Sequence, residues 1–130
     1  MRDVRPRLAS DGGFLTVQFV VAVGLSLLLL SDLANLVVFQ YARGVVRAAL
    51  DEGVRAGSRA TAAAAECQAR AQAVLDDLLS GPLGDAVVIG CTDTGDRMLA
   101  RADVTLHAWA PMVPDWSFLA EATAVKEHFP

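Results

Sequence analysis

Gly13-Phe14-Leu15-Thr16-Val17-Gln18-Phe19-Val20-Val21 opens an apolar run that continues through Leu27-Leu28-Leu29-Leu30 to Tyr41. How this stretch is read decides the fold. From Phe14 to Ser31 it carries no charge. A bilayer core about 30 Å thick takes roughly 20 apolar residues in a helix, and Phe14 to Leu33 supplies them. A secretory signal peptide has a shorter apolar core, of about 7–15 residues, followed by a small-residue cleavage site. Here the apolar phase persists through Leu36, Val37, Val38 and Phe39. The stretch therefore reads as a retained transmembrane helix over 14–41. A leader with Arg2, Arg5 and Arg7 precedes it over 1–13, and residues 42–130 form the domain beyond.

Two polar residues interrupt the apolar phase. Asp32 lies about 27 Å along the helix from Phe14, which places it near the far interface and favours an interfacial carboxylate over a buried pair. Gln18 sits early in the apolar phase, where its amide needs a hydrogen bond from backbone or from a neighbouring chain. Basic residues flank both ends: the head has three Arg, and Arg43, Arg47, Arg55 and Arg59 follow the helix. The positive-inside rule therefore does not decide the orientation. The shortness of the head, and the position of both cysteines downstream, favour a cytoplasmic head and an extracytoplasmic domain over 42–130.

The chain has 130 residues, enough for one membrane helix and one small domain. The segment beyond the helix is net acidic, with 8 basic and 12 acidic residues. Nucleic acid binding calls for a basic stripe, so no nucleic-acid partner is expected. Alanine is abundant and aromatics are few, so the domain buries little area per residue and needs the long helix, a disulfide or a partner for stability. Cys67 and Cys91 have no metal-ligand spacing, and His107 and His128 are the only histidines. No metal and no cofactor are expected. In an exported domain the two cysteines read as one disulfide, which would stabilise by roughly 3 kcal/mol; two buried thiols are the alternative.

Helical periodicity continues past the membrane. Arg43, Arg47, Asp51, Arg55 and Arg59 recur every fourth residue as a polar stripe, with Asp51 and Arg55 in favourable order for an ion pair. Val46, Leu50, Gly53, Val54 and Gly57 form the opposite, apolar stripe. The Gly53–Gly57 spacing lies outside lipid, so it suits close approach by a sheet or another helix better than a membrane dimer. Ser58 to Thr61 weakens the helix, and Thr61 is placed to cap a second one running to Leu79. On that helix Cys67, Ala71, Val74, Leu75, Leu78 and Leu79 share a face, and Ser80-Gly81-Pro82 ends it.

The period then changes to two. Ala86 to Cys91 reads as a short buried strand, and Thr92 to Asp96 as a turn with Gly95 free to take positive φ. Met98, Ala100, Ala102, Val104, Leu106 and Ala108 alternate with polar residues, the pattern of a half-buried antiparallel strand. Pro111 to Trp116 reads as a proline-bounded loop flanked by Trp109 and Trp116. Those two rings form either a contact patch or packing under the sheet edge. Phe118, Ala120, Ala122 and Ala124 line the inner face of a last strand. The predicted fold class is α+β: a long N-terminal transmembrane helix continuing into solvent, a second helix, and a small three-stranded antiparallel sheet.

Catalysis requires convergent groups. The sequence has no GxSxG, HExxH or phosphate-cradling glycine loop, and no nucleophile–base pair. Adjacent Asp76 and Asp77 point in different directions on a helix. His107, on the polar face of a strand, reads as a surface histidine, with a small membrane enzyme built on it as the minor reading. The expectation is that the chain is not an enzyme.

In the order of its parts the chain resembles the TadE/TadF-like minor pilins (pseudopilins) of tight-adherence, or Flp, pilus systems, in the form found beside actinobacterial secretion ATPases. The carrying residues are Asp11-Gly12-Gly13-Phe14-Leu15-Thr16-Val17-Gln18-Phe19, then Leu50-Asp51-Glu52-Gly53-Val54-Arg55-Ala56-Gly57. Val104 to Ala110, Pro111 to Trp116, and Ala124-Val125-Lys126-Glu127 complete the order. The resemblance covers nearly the whole chain and rests on motif order, since no single motif is specific. It implies a pilin-like fold and cleavage by a prepilin peptidase after Gly13, leaving Phe14 as the new N-terminus. It further implies assembly with other TadE/TadF-like or Flp pilin subunits through the Tad machinery, related to type II and type IV secretion. The implied location is the cytoplasmic membrane, single-pass, with the cell surface as a later destination. The family pairs a glutamate five residues after the cut with a neighbour's free amine; here Gln18 stands in its place and cannot neutralise a charge. That departure suits a tip or initiating subunit, a companion to a charged subunit, or an uncleaved signal-anchored envelope protein whose outer domain binds a partner or is shed.

Overall fold

A computed structural model of the chain describes residues 11–108 and 113–128. The elements are α1 (Asp11–Gly57), α2 (Ala64–Leu78), α3 (Pro82–Asp85), β1 (Val87–Asp93), β2 (Arg97–Leu106) and β3 (Trp116–Val125). The strands form one antiparallel sheet in the order β1-β2-β3. The α+β class, the long apolar helix and the three-stranded sheet follow the switch in hydrophobic period from helical to two. The chain divides into two compact units, the first ending at Asn35 and the second beginning at Leu36.

The first unit is the N-terminal portion of α1. Its large apolar side chains, from Phe14 to Leu33, are all exposed. Among the described residues α1 is the one helix long and apolar enough to cross a membrane.

In the second unit α1 contributes Ala42, Val45, Val46, Ala49, Leu50 and Val54 to the core. Their three- and four-residue spacing makes one buried stripe, and Arg43, Arg47, Asp51 and Arg55 lie exposed outside it. The expected Asp51–Arg55 pair does not form. Glu52 instead reaches Arg70 of α2 at 3.6 Å, an exposed pair of little energetic weight. Gly53 and Gly57 let α1 and α2 close on each other. A Cβ at Gly53 would stand 2.8 Å from the Ala71 Cβ, and one at Gly57 would stand 2.7 Å from the Cys67 Cβ.

Helix α2 begins later than Thr61 would set it. Its N-cap is Ala63, in extended conformation and with no side-chain cap. Tertiary contact overrides the local signal here: Ala62 is buried, and its carbonyl accepts a hydrogen bond from Lys126 Nζ at 3.3 Å. Glu66 in the first turn complements the helix dipole. Cys67, Ala71 and Leu75 face the core as expected. Leu78 does not; it is 48% exposed at the helix end, where its carbonyl accepts the Tyr41 hydroxyl at 3.2 Å. The short α3, opened by Pro82 after Gly81 at φ 71°, was too brief for periodicity to reveal.

The β1–β2 turn holds Gly95 at φ 91°, with its N–H donating to Asp93 Oδ1 at 2.8 Å. Strand β2 alternates as predicted, burying Met98, Ala100, Ala102, Val104 and Leu106. Ala100 pairs with Ala122 and Ala102 with Ala120 in β3, so the middle of the inner face carries only small side chains. Leu50, Leu75, Met98 and Val104 fill the space around it. Trp116 is the first residue of β3, paired with Leu106, and not part of the preceding loop as expected. Trp109 and Pro111 lie outside the described residues.

Helix and sheet are matched in length. Met98 meets Gly57 at one end, and Trp116, the partner of Leu106, meets Phe39 at the other. From Phe39 to Gly57 a helix rises about 27 Å, and from Met98 to Leu106 an antiparallel strand covers about 27 Å. Beyond β3 the chain closes the far end. The Lys126 N–H donates to the Asp96 carbonyl at 2.9 Å, and the Glu127 N–H to the Ser58 carbonyl at 2.8 Å.

Candidate membrane anchor and assembly site

Helix α1 carries the residues singled out for processing and assembly. A Cβ at Gly13 would meet nothing within 4 Å, and Phe14 is 74% exposed. Both are therefore accessible on the helix surface. Gln18 is exposed on the same helix, and no residue among those described hydrogen-bonds its amide. Ser26 returns its hydroxyl to the Ala22 carbonyl at 2.8 Å, which satisfies that group without a partner chain. Asn35 differs, because its Nδ2 is shielded and lacks an acceptor. Asp32 is exposed. An apolar surface on all sides of a helix, with few polar breaks, has lipid or neighbouring helices as its favourable surroundings.

Cys67 and Cys91 form a disulfide with a Cα–Cα distance of 6.2 Å. It ties the first turn of α2 to β1, with the Cys67 side fully buried. Closing a loop with a sequence separation of 24 stabilises by about 3.5 kcal/mol in the chain-entropy account. This is a large contribution for a domain whose core is mostly alanine and valine.

Three aromatic rings gather at the end of the sheet nearest Phe39. Phe39 meets Trp116 edge-on with ring centroids 4.4 Å apart, and meets Phe118 edge-on at 5.5 Å. Such pairs add about 0.5–1.5 kcal/mol beyond area burial. Beside them His107 Nδ1 lies 2.9 Å from Asp115 Oδ2, and Asp115 Oδ1 accepts the Ala108 N–H at 3.2 Å. The hydrogen bond from His107, helped by the Ala108 amide, holds the Asp115 carboxyl below its ordinary range. His107 is 78% exposed.

At the opposite end, Lys126 Nζ donates to the Asp93 carboxylate and to the Ala62 carbonyl. The Lys126 side chain is only 14% exposed. Its hydrogen bond, followed by that from the Gly95 N–H, holds the Asp93 carboxyl below its ordinary range. The sequence offered no sign of this junction, because its partners are far apart in the chain.

Shallow hollows lie on the surface of the described residues, among them these two. One, of about 240 Å³, is lined by Gln72, Asp76, Ser80 and Asp85 among others; the other, of about 320 Å³, lies against Asp103, Thr105 and Leu119. Among the described residues no group of three His, Cys, Asp or Glu side chains converges as a metal site. Comparison with protein-family models, with curated proteins and with solved structures gave no match.

Proposed function

We propose that this chain is a minor pilin or pseudopilin-like subunit of a tight-adherence (Flp) type pilus or secretion assembly. In this reading α1 anchors it in the cytoplasmic membrane, and the domain from 42 onward lies on the extracytoplasmic side. It acts by helix–helix and protein–protein contacts, without catalysis or cofactor. Its partners are the membrane, other pilin-like subunits, a prepilin peptidase and the Tad machinery.

The observation that carries this reading is the continuity of α1. One helix, Asp11–Gly57, holds both the exposed apolar run and the buried stripe that receives the sheet. A subunit drawn from a membrane into a helical assembly needs its apolar span and its outer domain on one chain segment, and α1 supplies both. The disulfide supports export, since such bonds persist in oxidising compartments.

Gln18 favours a second reading, an uncleaved envelope anchor, because it cannot neutralise a neighbour's amine. Intact-mass and N-terminal peptide spectrometry on native membrane and sheared-surface fractions separates the two. A chain beginning at Phe14, converted to full length by Gly13→Leu, is the expected result. A chain still beginning near Met1 in both fractions would reject processing and leave the fixed anchor.

A further inference from the structure

The aromatic end of the sheet carries an inference beyond subunit assembly. Within the second unit, Leu36, Val37, Val38 and Tyr41 remain 41–61% exposed. They lie around the helix at the level of Phe39, and Arg43 is the first basic residue after them. Water is an unfavourable neighbour for such a collar, and its exposed groups continue the apolar surface that precedes them. Trp116, packed on Phe39 with ring centroids 4.4 Å apart, is held at the level of this collar.

We propose that the Leu106–Trp116 end of the sheet rests in the headgroup layer of the bilayer that α1 crosses, with Trp116 as its interfacial anchor. This rests on the reading of α1 as a membrane span. The chemistry of Trp116 and Arg43 fits. Tryptophan and tyrosine favour the headgroup level, where an apolar ring and a polar edge are both satisfied. Trp116 is half-buried and so keeps some of its surface exposed. Asp115, the nearest carboxylate in sequence, is engaged by His107 and by the Ala108 N–H, which lessens its repulsion of phosphates. Arg43, exposed one turn beyond Phe39, is placed to reach them.

The test uses the full chain in phosphatidylcholine–phosphatidylglycerol vesicles. Trp109→Phe leaves Trp116 as the sole tryptophan. A second protein, with Trp109→Phe, Trp116→Phe and Leu28→Trp, reports on the span; Leu28 is exposed in the middle of the apolar run. Spin-labelled lipids carry the quencher near the headgroup or deep in the acyl chain, and iodide probes the water phase. Interfacial anchoring predicts Trp116 quenching at least about twofold stronger by the shallow label than by the deep one. Leu28→Trp should show the reverse order. Deep quenching of Leu28→Trp with Trp116 quenched by iodide alone would overturn the proposal and leave the span intact. Trp116 insensitive to every quencher would overturn it in favour of a covering protein. Leu28→Trp insensitive to lipid labels would remove the span itself, and the anchoring with it.

Discussion

Replacing Gly53 with alanine should destabilise the outer domain, although the same change in an exposed helix interior stabilises by about 1 kcal/mol. A Cβ at Gly53 would stand 2.8 Å from the Ala71 Cβ and 2.9 Å from the Cys67 carbonyl oxygen. Ordinary contact between carbons lies near 3.5–4.0 Å, so the two helices have to part by roughly 1 Å. Neither neighbour is the free end of a flexible side chain. The disulfide also ties α2 to β1 and limits its retreat. Overpacking of this kind costs about 1–3 kcal/mol; offset by the gain in helix propensity, the net loss is up to about 2 kcal/mol. At about 4–8 °C per kcal/mol for a domain of this size, the melting temperature falls by up to about 15 °C. Gly44 supplies the control on the same helix. It is exposed, and a Cβ there would meet nothing within 4 Å. Gly44→Ala should therefore gain up to about 1 kcal/mol. Thermal unfolding of the full chain in detergent, followed by tryptophan emission, reports on the outer domain while the micelle keeps the apolar part of α1 helical. If Gly53→Ala melts at or above wild type while Gly44→Ala behaves as stated, the close approach of α1 and α2 is not a tight one, and the reasoning fails.

Two further perturbations test the remaining supports. Replacing both cysteines, Cys67→Ala with Cys91→Ala, should lower stability by up to about 3.5 kcal/mol in urea titration. Reductant should bring the wild type close to that variant and leave the variant unmoved; equal midpoints for all forms would show that the bond does not stabilise. Lys126→Met should lower the melting temperature and flatten its dependence on acid. The Asp93 carboxyl is depressed in the folded state, so its contribution is present above the ordinary carboxylate range and is lost as pH falls toward the depressed value. Melting curves between about pH 6 and pH 2 should therefore converge for wild type and variant at the acid end; a constant gap across that range would assign the effect of Lys126 to its bond with Ala62 alone.

Much of the fold was legible because single residues faced single environments. Met98 to Leu106 has one wet face and one dry face, and its alternation gave the buried set correctly. The same holds for the buried stripe from Val46 to Gly57. Gly53 and Gly57 revealed a close approach, but not that Ala71 and Cys67 were the partners, because glycine spacing names no neighbour. The local signals that failed were weak ones. The Thr61 cap yielded to the pinning of Ala62, and the Asp51–Arg55 pair yielded to Glu52 and Arg70, since exposed pairs of this kind differ by less than about 1 kcal/mol. The partners that meet at the two ends of the sheet were not legible. Trp116 stood out as a ring for contact or packing, but its partner Phe39 did not, and Lys126 with Asp93 and Ala62 likewise joins residues far apart in the chain.

The equal reach of Phe39–Gly57 and Met98–Leu106 limits how such a chain can change in length. Helix and strand advance by about 1.5 and 3.4 Å per residue, steps with no small common multiple. One residue inserted into β2 turns its inner face outward, and one inserted into α1 rotates every later side chain by about 100°. No single insertion in one element restores the fit with the other. Insertions and deletions are therefore better placed between these elements, as at 58–63 or 94–96, and the helix and the central strand must keep their residue counts together.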